Sequence, residues 1–525
     1  MKNVGSPLRT CSSILSLVLL GVTQTGYGAG EVSVVLPFKK TAAVKIEHTV
    51  EWVSACQAEY ASQLQSQYPS TWLSVYNNRK DKYCTEYLYT FGATVRNTSA
   101  DTVLDITGHA VATDSAVLIT QPTARFGDLP AQTEFFIRDG FKLRANGLLQ
   151  LAALPVKMSL TFRTDNPLNA PDFPVNTWVE VASLPTPGWT RQSHSSMVVN
   201  SRSGSLLVFG SDTHGRLDNA VREFDTQRLR WTTHRPPTTL DTYQVDAQGQ
   251  AISGTRDNPQ PWAMHTYDEV VYDPTVGQLV VTAIDPHNYP AYDKVPNATY
   301  HPTWLYDLAN HSWRTFVNYG NSDPLRVPNF FARAAEYDEK RDVIWAVRSK
   351  ELWFIDRNRA AWIKVPAAAP AVQAHVNMVR DSKRDELIVF GQYSLLSSDI
   401  FVYKPPLNPA ANGTWQVRRP GGYVVAPDAQ IPAAYDDEQG VVLLLPSSHT
   451  TTLPTDTVVY DPASNVYAKV PGTSPIQGAH VNPLNFMLQY HPARKMFVLV
   501  TGWNKVPVTV TVWAFKLDYG RLMSP

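Results

Sequence analysis

RQSHSSMVVNSRSGSLLVFGSDTHGRLDNAVREFDTQRLRW, residues Arg191–Trp231, reads as four short strands separated by turns. Ser196–Val199 is a compact apolar run, and a polar turn carries it into a second run, Leu206–Phe209, stopped by Gly210. A loop holding His214 follows, then a third strand ending in Phe224-Asp225 and a fourth beginning at Trp231. The pattern is an antiparallel meander of about 40 residues. The rest of the chain reads as copies of it or as a lead-in to it.

Three features align the copies. The first strand ends before a turn at Asn200, Asp273, Asp338, Asp381 and Asp436, with His491 in the sixth copy. The second strand is an apolar run: LLVFG (206–210), QLVVTA (278–283), VIWAV (343–347), LIVFG (387–391), VVLLLP (441–446) and MFVLVTG (496–502). The third strand ends in an aromatic or apolar residue followed by Asp, with an aromatic six residues after the Asp. Phe224-Asp225 leads to Trp231, Tyr306-Asp307 to Trp313, Ile355-Asp356 to Trp362, and Tyr460-Asp461 to Tyr467. The fourth copy departs, with Tyr403-Lys404, an insertion and then Trp415. The sixth copy ends at Trp513–Tyr519 without a fourth strand, and the missing strand stands upstream of the first copy at Asn176–Val181, with Trp178 as the equivalent tryptophan. The expectation is a six-bladed β-propeller over residues 176–525, closed by the strand near Trp178.

These blades resemble kelch repeats and the propeller of galactose-oxidase-like proteins, over about residues 176–520. The Gly-Gly pair that usually follows the second strand is degenerate, as in Gly210-Ser211 and Gly391-Gln392. The resemblance implies a central channel, with strand-1 starts and the loops between strands 2 and 3 on one face.

The segment before the repeats reads differently. Lys2 and Arg9 precede the apolar run Ile14–Val22, which is too short to span a bilayer, and small residues lead to Ala29. Residues 1–29 are therefore expected to be a signal peptide, and the mature chain secreted or periplasmic. Cys11 precedes the apolar run and does not fit a lipidation site. Export would leave Cys56 and Cys84, expected to form one disulfide. Its loop would contribute roughly 3 kcal/mol in the chain-entropy model. Strand-like runs at Tyr87–Arg96, Val103–Ile106, Ala116–Ile119 and Lys157–Phe162 predict a β-sandwich over 30–165, with a short helix at Gln57–Gln67. The text FGATVRNTSADTVLDITG resembles Ig-like accessory modules of secreted bacterial proteins. The Pro- and Asn-rich stretch 166–175 reads as a linker. The predicted fold is thus all-β, an N-terminal Ig-like β-sandwich followed by a six-bladed kelch-like β-propeller.

Composition narrows the function. The chain has 525 residues, is 43% apolar and carries no net charge, which argues against electrostatic binding of nucleic acid. After the signal segment no stretch is long and apolar enough to span a membrane. A polysaccharide or glycan is the expected partner.

Histidines gather on the face just described. His194, His265, His375 and His480 lie at or near strand-1 starts, and His214, His287, His301 and His449 lie in the following loops, eight of 13 in all. His194 with His214, and His265 with His287, form two parallel pairs. Arg333 stands where other copies place His, Tyr267 sits beside His265, and Tyr289, Tyr292 and Tyr300 crowd the long loop DPHNYPAYDKVPNATYHPTW. A histidine at a strand-1 start also serves as an ordinary inter-blade hydrogen-bonding residue.

Three functions fit. In a polysaccharide lyase, β-elimination from a uronate needs a cation to neutralise the carboxylate, a base for the C5 proton and an acid for the leaving oxygen. Arg333 suits the first task, and His194, His214 and Tyr267 the others, with His265, His287, Tyr289, His375 and His480 binding substrate. This arrangement looks like that of propeller-fold polysaccharide lyases such as the ulvan lyases, which are often described with seven blades. A second reading is a non-catalytic glycan- or protein-binding propeller. A third is a histidine-held metal, as in galactose oxidase, but the Tyr–Cys cofactor of that family is excluded because residues 176–525 contain no Cys. The sequence names no cofactor and assigns no metal ligand.

Overall fold

In the computed structural model the described residues are 31–34, 42–52, 65–66, 70, 86–97, 103–112, 117–130, 133–146, 156–163, 166–170, 172–185, 194–211, 213, 217–247, 249–298, 301–316, 331–358, 360–372, 375–391, 399–425, 429–430, 432–448, 456–472, 474–475, 487–503 and 509–523. The expected signal peptide, Cys56, Cys84, His214, Tyr300, His449 and His480 lie outside them, as does Gln57–Gln67 except for helical residues 65 and 66. The chain is all-β, with several small antiparallel sheets. It divides into two compact units, residues 1–165 with 182–185, and residues 166–181 with 186–525.

Among the described residues the first unit holds two antiparallel sheets. One has the spatial order Glu31–Val34, Ala42–Trp52, Glu86–Asn97, Glu134–Asn146, Val117–Gln121. The other has the order Thr123–Leu129, Val103–Ala112, Val156–Arg163. Val95, Ile106, Phe126, Phe141 and Leu143 are buried.

The second unit carries six sheets of the same pattern. Sheet 1 is Ser196–Val199, Leu206–Phe209, Val221–Asp225 and Arg230–Arg235. Sheet 2 is Val270–Asp273, Gln278–Val281, Thr303–Asp307 and Ser312–Phe316. Sheet 3 is Ala334–Asp338, Val343–Arg348, Glu351–Asp356 and Ala361–Lys364. Sheet 4 is Asn377–Asp381, Glu386–Phe390, Ile400–Lys404 and Thr414–Arg418. Sheet 5 is Ala433–Asp436, Val441–Leu444, Val458–Asp461 and Val466–Lys469, with Gly421–Gly422 added in parallel on its outer edge. Sheet 6 is Met487–His491, Met496–Trp503 and Thr509–Phe515, and its fourth member is the part of strand Trp178–Pro185 up to Val181. The first strands of consecutive sheets are neighbours throughout, and the first strand of sheet 6 neighbours that of sheet 1.

The repeated residues explain the repeated hairpins. In the first turn of a sheet the Asn or Asp side chain accepts a backbone N–H two or three residues on: Arg202 to Asn200 (3.0 Å), Thr275 to Asp273 (3.0 Å), Lys340 to Asp338 (3.1 Å), Arg384 to Asp381 (2.9 Å) and Glu438 to Asp436 (2.9 Å). Asp225, Asp307, Asp356 and Asp461 do the same in the last turn. These are Asx turns, which give the chain a local alternative to ladder bonding at the reversal. The aromatic after the Asp then falls opposite the residue before it: Phe224 faces Trp231, Tyr306 faces Trp313, and Tyr460 faces Tyr467. Tyr403 faces Trp415 despite the insertion, with ring centroids 4.9 Å apart. Each such pair contributes about 0.5–1.5 kcal/mol beyond area burial.

Side chains also tie each sheet to the one before it. Arg380 Nε lies 3.1 Å from Asp338 Oδ1, Tyr435 donates its hydroxyl to Asp381 Oδ1 at 2.7 Å, and His491 Nε2 lies 2.7 Å from the Gly204 carbonyl of sheet 1. A cavity of about 400 Å³ among the first strands is lined in part by Asp268, Glu336, Arg380, Tyr435 and Tyr490. Burial holds the Asp268 and Glu336 carboxyls well above the ordinary carboxylate range.

Between sheets 1 and 2 the chain adds a small sheet, Gln244–Val245, Ala251–Thr255 and Asn258–Gln260. It supports an apolar cluster of Tyr243, Ala251, Trp262, Ala291, Val295 and Ala298.

Candidate functional site

The site is built from the starts of the first strands. His194, Tyr267, Ala332 and His375 precede the first strands of sheets 1 to 4, and all four have left-handed backbones, with φ of 62°, 46°, 54° and 61°. Left-handed backbone costs an L-residue roughly 1–2 kcal/mol, and it clusters where surrounding structure over-determines a functional geometry. Here the neighbours fix it. The His194 carbonyl accepts the N–H groups of Thr266 (2.7 Å) and Tyr267 (2.9 Å), and the Ala332 carbonyl accepts that of His375 (2.7 Å). Gly210 is required just behind: its φ is +111°, and a Cβ there would lie 2.2 Å from Thr266 Oγ1.

This register corrects the sequence alignment. The residue of sheet 2 equivalent to His194 and His375 is Tyr267, with His265 two residues upstream. The equivalent in sheet 3 is Ala332, and Arg333 falls one residue later.

The turned backbones bring aromatic rings into one row. The His194 and His265 rings lie 4.2 Å apart, His194 lies 5.2 Å from Tyr267, and Tyr267 stacks on His375 at 5.0 Å and 23°. Phe331 packs edge-on against Tyr267 (5.4 Å) and His287 (4.7 Å). Tyr289, 57% exposed, lies 6.0 Å from His287 and ends the row. Six of the expected site residues therefore converge: His194, His265, Tyr267, His287, Tyr289 and His375.

Arg333 is half-buried, and its N–H donates to Glu269 Oε1 at 3.2 Å. Burial lowers the guanidinium's pKa and raises that of the Glu269 carboxyl well above the ordinary carboxylate range. Arg333 Nη1 is buried without a hydrogen-bond partner.

The long loop after sheet 2's second strand carries a short helix among its described residues. Asn288 caps a short helix, Tyr289–Lys294, by accepting the Ala291 N–H at 3.2 Å. The helix folds Tyr292 onto Trp262, where its hydroxyl meets His301 Nε2 at 2.7 Å. Burial pushes His301 down to about 4 and Tyr292 up to about 12, so the phenol donates to a neutral imidazole. His301 and Tyr292 thus belong to the packing of the loop.

The sequence reading missed Asp285, Thr213, Phe331 and Glu269. Asp285 is 2% exposed and accepts the His265 N–H (3.1 Å), the Thr213 hydroxyl (2.7 Å) and the His287 N–H (2.8 Å). Its sequence signal was its place two residues before His287. Among the described residues, His265, Asp285 and His287 form a group with ligand-type atoms within 4.8 Å of one another.

Comparison of the chain with protein-family models and with curated proteins gives no match. Among the described residues no helix is long and apolar enough to cross a membrane.

Proposed function

We propose that the second unit is a six-bladed propeller of kelch or galactose-oxidase-like type, that the first is an Ig-like sandwich, and that the aromatic row is a glycan site of an exported protein. The propeller reading is supported by six like sheets whose first strands neighbour one another in cyclic order. The chemistry we infer is β-elimination from a uronate-containing polysaccharide. The observation that carries it is Tyr267 held between His194 and His375 on left-handed backbone, two residues before Glu269, which accepts the backbone N–H of the half-buried Arg333. Arg333 would neutralise the substrate carboxylate, Tyr267 would take the C5 proton, and His194 would protonate the leaving oxygen. Phe331, Tyr289 and His287 offer faces for sugar rings.

The test is incubation of the purified chain with a panel of uronate polysaccharides, following ultraviolet absorbance of the unsaturated product. Tyr267→Phe and Arg333→Met should abolish the signal while the chain stays folded. Glycan binding with no absorbance change on any substrate would favour the second reading, a binding propeller using the same aromatic faces.

A further inference from the structure

We propose that His265, Asp285 and His287 form a mononuclear site for a divalent transition-metal ion, with zinc as the best-matched ion. The argument rests on the space between His265 Nδ1 and Asp285 Oδ1. These atoms are 3.7 Å apart and both side chains are 1% exposed. That distance is beyond a hydrogen bond. It is the span that two ligands at about 2.1 Å from one ion make at an angle of about 120–125°, near tetrahedral.

The surrounding hydrogen bonds aim both atoms into that space. A carboxylate has about four lone-pair positions. Asp285 uses two on Oδ2, for the His265 N–H and the Thr213 hydroxyl, and one on Oδ1, for the His287 N–H. One position on Oδ1 remains on the side of His265. The ring's other nitrogen, Nε2, lies 3.1 Å from Thr213 Oγ1. A hydroxyl that donates to Asp285 accepts from Nε2–H, and that tautomer puts the ring's lone pair on Nδ1, as a metal ligand requires. The Thr213 N–H, 3.2 Å from Nε2, favours the other tautomer, in which Nδ1–H faces Oδ1 across a gap too wide for a proton to bridge.

His287 supplies the third ligand from the same turn, its backbone already fixed on Asp285. Two imidazoles and one carboxylate match zinc and its neighbours; magnesium and calcium prefer all-oxygen shells. Closing the third leg takes a small rotation of the half-buried His287 ring, which rests edge-on against Phe331. The site stands independently of the glycan reading, because its ligands are fixed by Thr213 and the protein backbone.

The experiment uses the full chain, stripped with a chelator, checked by tryptophan fluorescence and circular dichroism, and titrated calorimetrically with Zn²⁺ and with Mg²⁺. The expected result is one Zn²⁺ per chain with micromolar or tighter affinity, no Mg²⁺ uptake, and a visible tetrahedral absorption band with Co²⁺. His287→Gln should weaken Zn²⁺ at least 10-fold, and Thr213→Val by about 10- to 100-fold through loss of the tautomer-fixing contact. His375→Gln should leave it unchanged. Asp285→Asn removes a buried acceptor and can unfold the loop, so His287→Gln carries the test. Failure of the folded wild type to take up Zn²⁺, or unaltered affinity in His287→Gln, overturns the proposal.

Discussion

Replacing His375 by glycine and by alanine separates strain from packing. His375 has φ 61° and stacks on Tyr267 at 5.0 Å. Alanine removes the ring but keeps a Cβ in the left-handed region, so it forfeits the stack, worth about 0.5–1.5 kcal/mol, with no relief. Glycine forfeits the same stack but relieves roughly 1–2 kcal/mol of backbone strain. Against that, glycine adds about 0.5–1 kcal/mol of unfolded-state freedom. His375→Gly should therefore be about as stable as wild type and more stable than His375→Ala by up to about 1.5 kcal/mol. Urea unfolding followed by tryptophan fluorescence measures both. The same pair should lose glycan binding or turnover alike, because both lack the imidazole. If His375→Ala proves as stable as His375→Gly, the left-handed backbone is unstrained and the case for a site held under strain fails.

Further outcomes follow from the contacts around the site. A double-mutant cycle of Tyr435→Phe with Asp381→Asn should give a coupling of about 1–3 kcal/mol, since the phenol donates to a fully buried carboxylate of the preceding sheet. A coupling near zero would remove that tie between sheets 4 and 5. His301 sits near 4 in the folded chain against 6.5 in the unfolded one, so the unfolded state binds more protons between those values and stability falls as pH drops from about 6.5 to 4. The full loss is about 3 kcal/mol, and His301→Gln should flatten that part of the curve when the two proteins are compared pH by pH. Glu269 is displaced in the opposite sense for an acid. Its contribution is fully present below the unfolded pKa and declines as pH rises toward the elevated folded one, so Glu269→Gln should gain on wild type from pH 5 to 8 in urea midpoint. A gain on acidification instead would mean a charged Glu269 paired with Arg333.

The hairpins were legible because their signals are local. An Asx turn needs only an Asp and the next three residues, and a cross-strand aromatic pair needs a fixed offset around that turn. Asp225 with Trp231 and Asp307 with Trp313 therefore marked both strand ends and register in the text itself. Trp178 could be assigned to the last sheet because a counted repeat lacked one strand at one end and carried a spare at the other. The insert between sheets 1 and 2 had no such signal. Its strands are two to five residues long, and its core is assembled from Tyr243, Trp262 and Ala291 across a gap of chain.

The site obeys a different rule. Its histidines could be found as residues at strand starts, but what each does depends on the backbone angle that aims it, and sequence does not print φ. That is why the text sets Arg333 in the place of His194 and His265 only near it, while Tyr267 and Ala332 hold the equivalent left-handed positions. Asp285 escaped notice for a related reason. An Asp before a turn reads as turn chemistry, and Asp285 does accept the His287 N–H two residues on, as any Asx residue would. Its other two bonds reach back to His265 and across to Thr213 in the preceding sheet's loop, and only the fold supplies those. The same bond that makes Asp285 a turn residue helps hold its Oδ1 3.7 Å from His265 Nδ1. A turn residue and a metal ligand can be the same atom set, and only the 3.7 Å gap across from it separates the two readings.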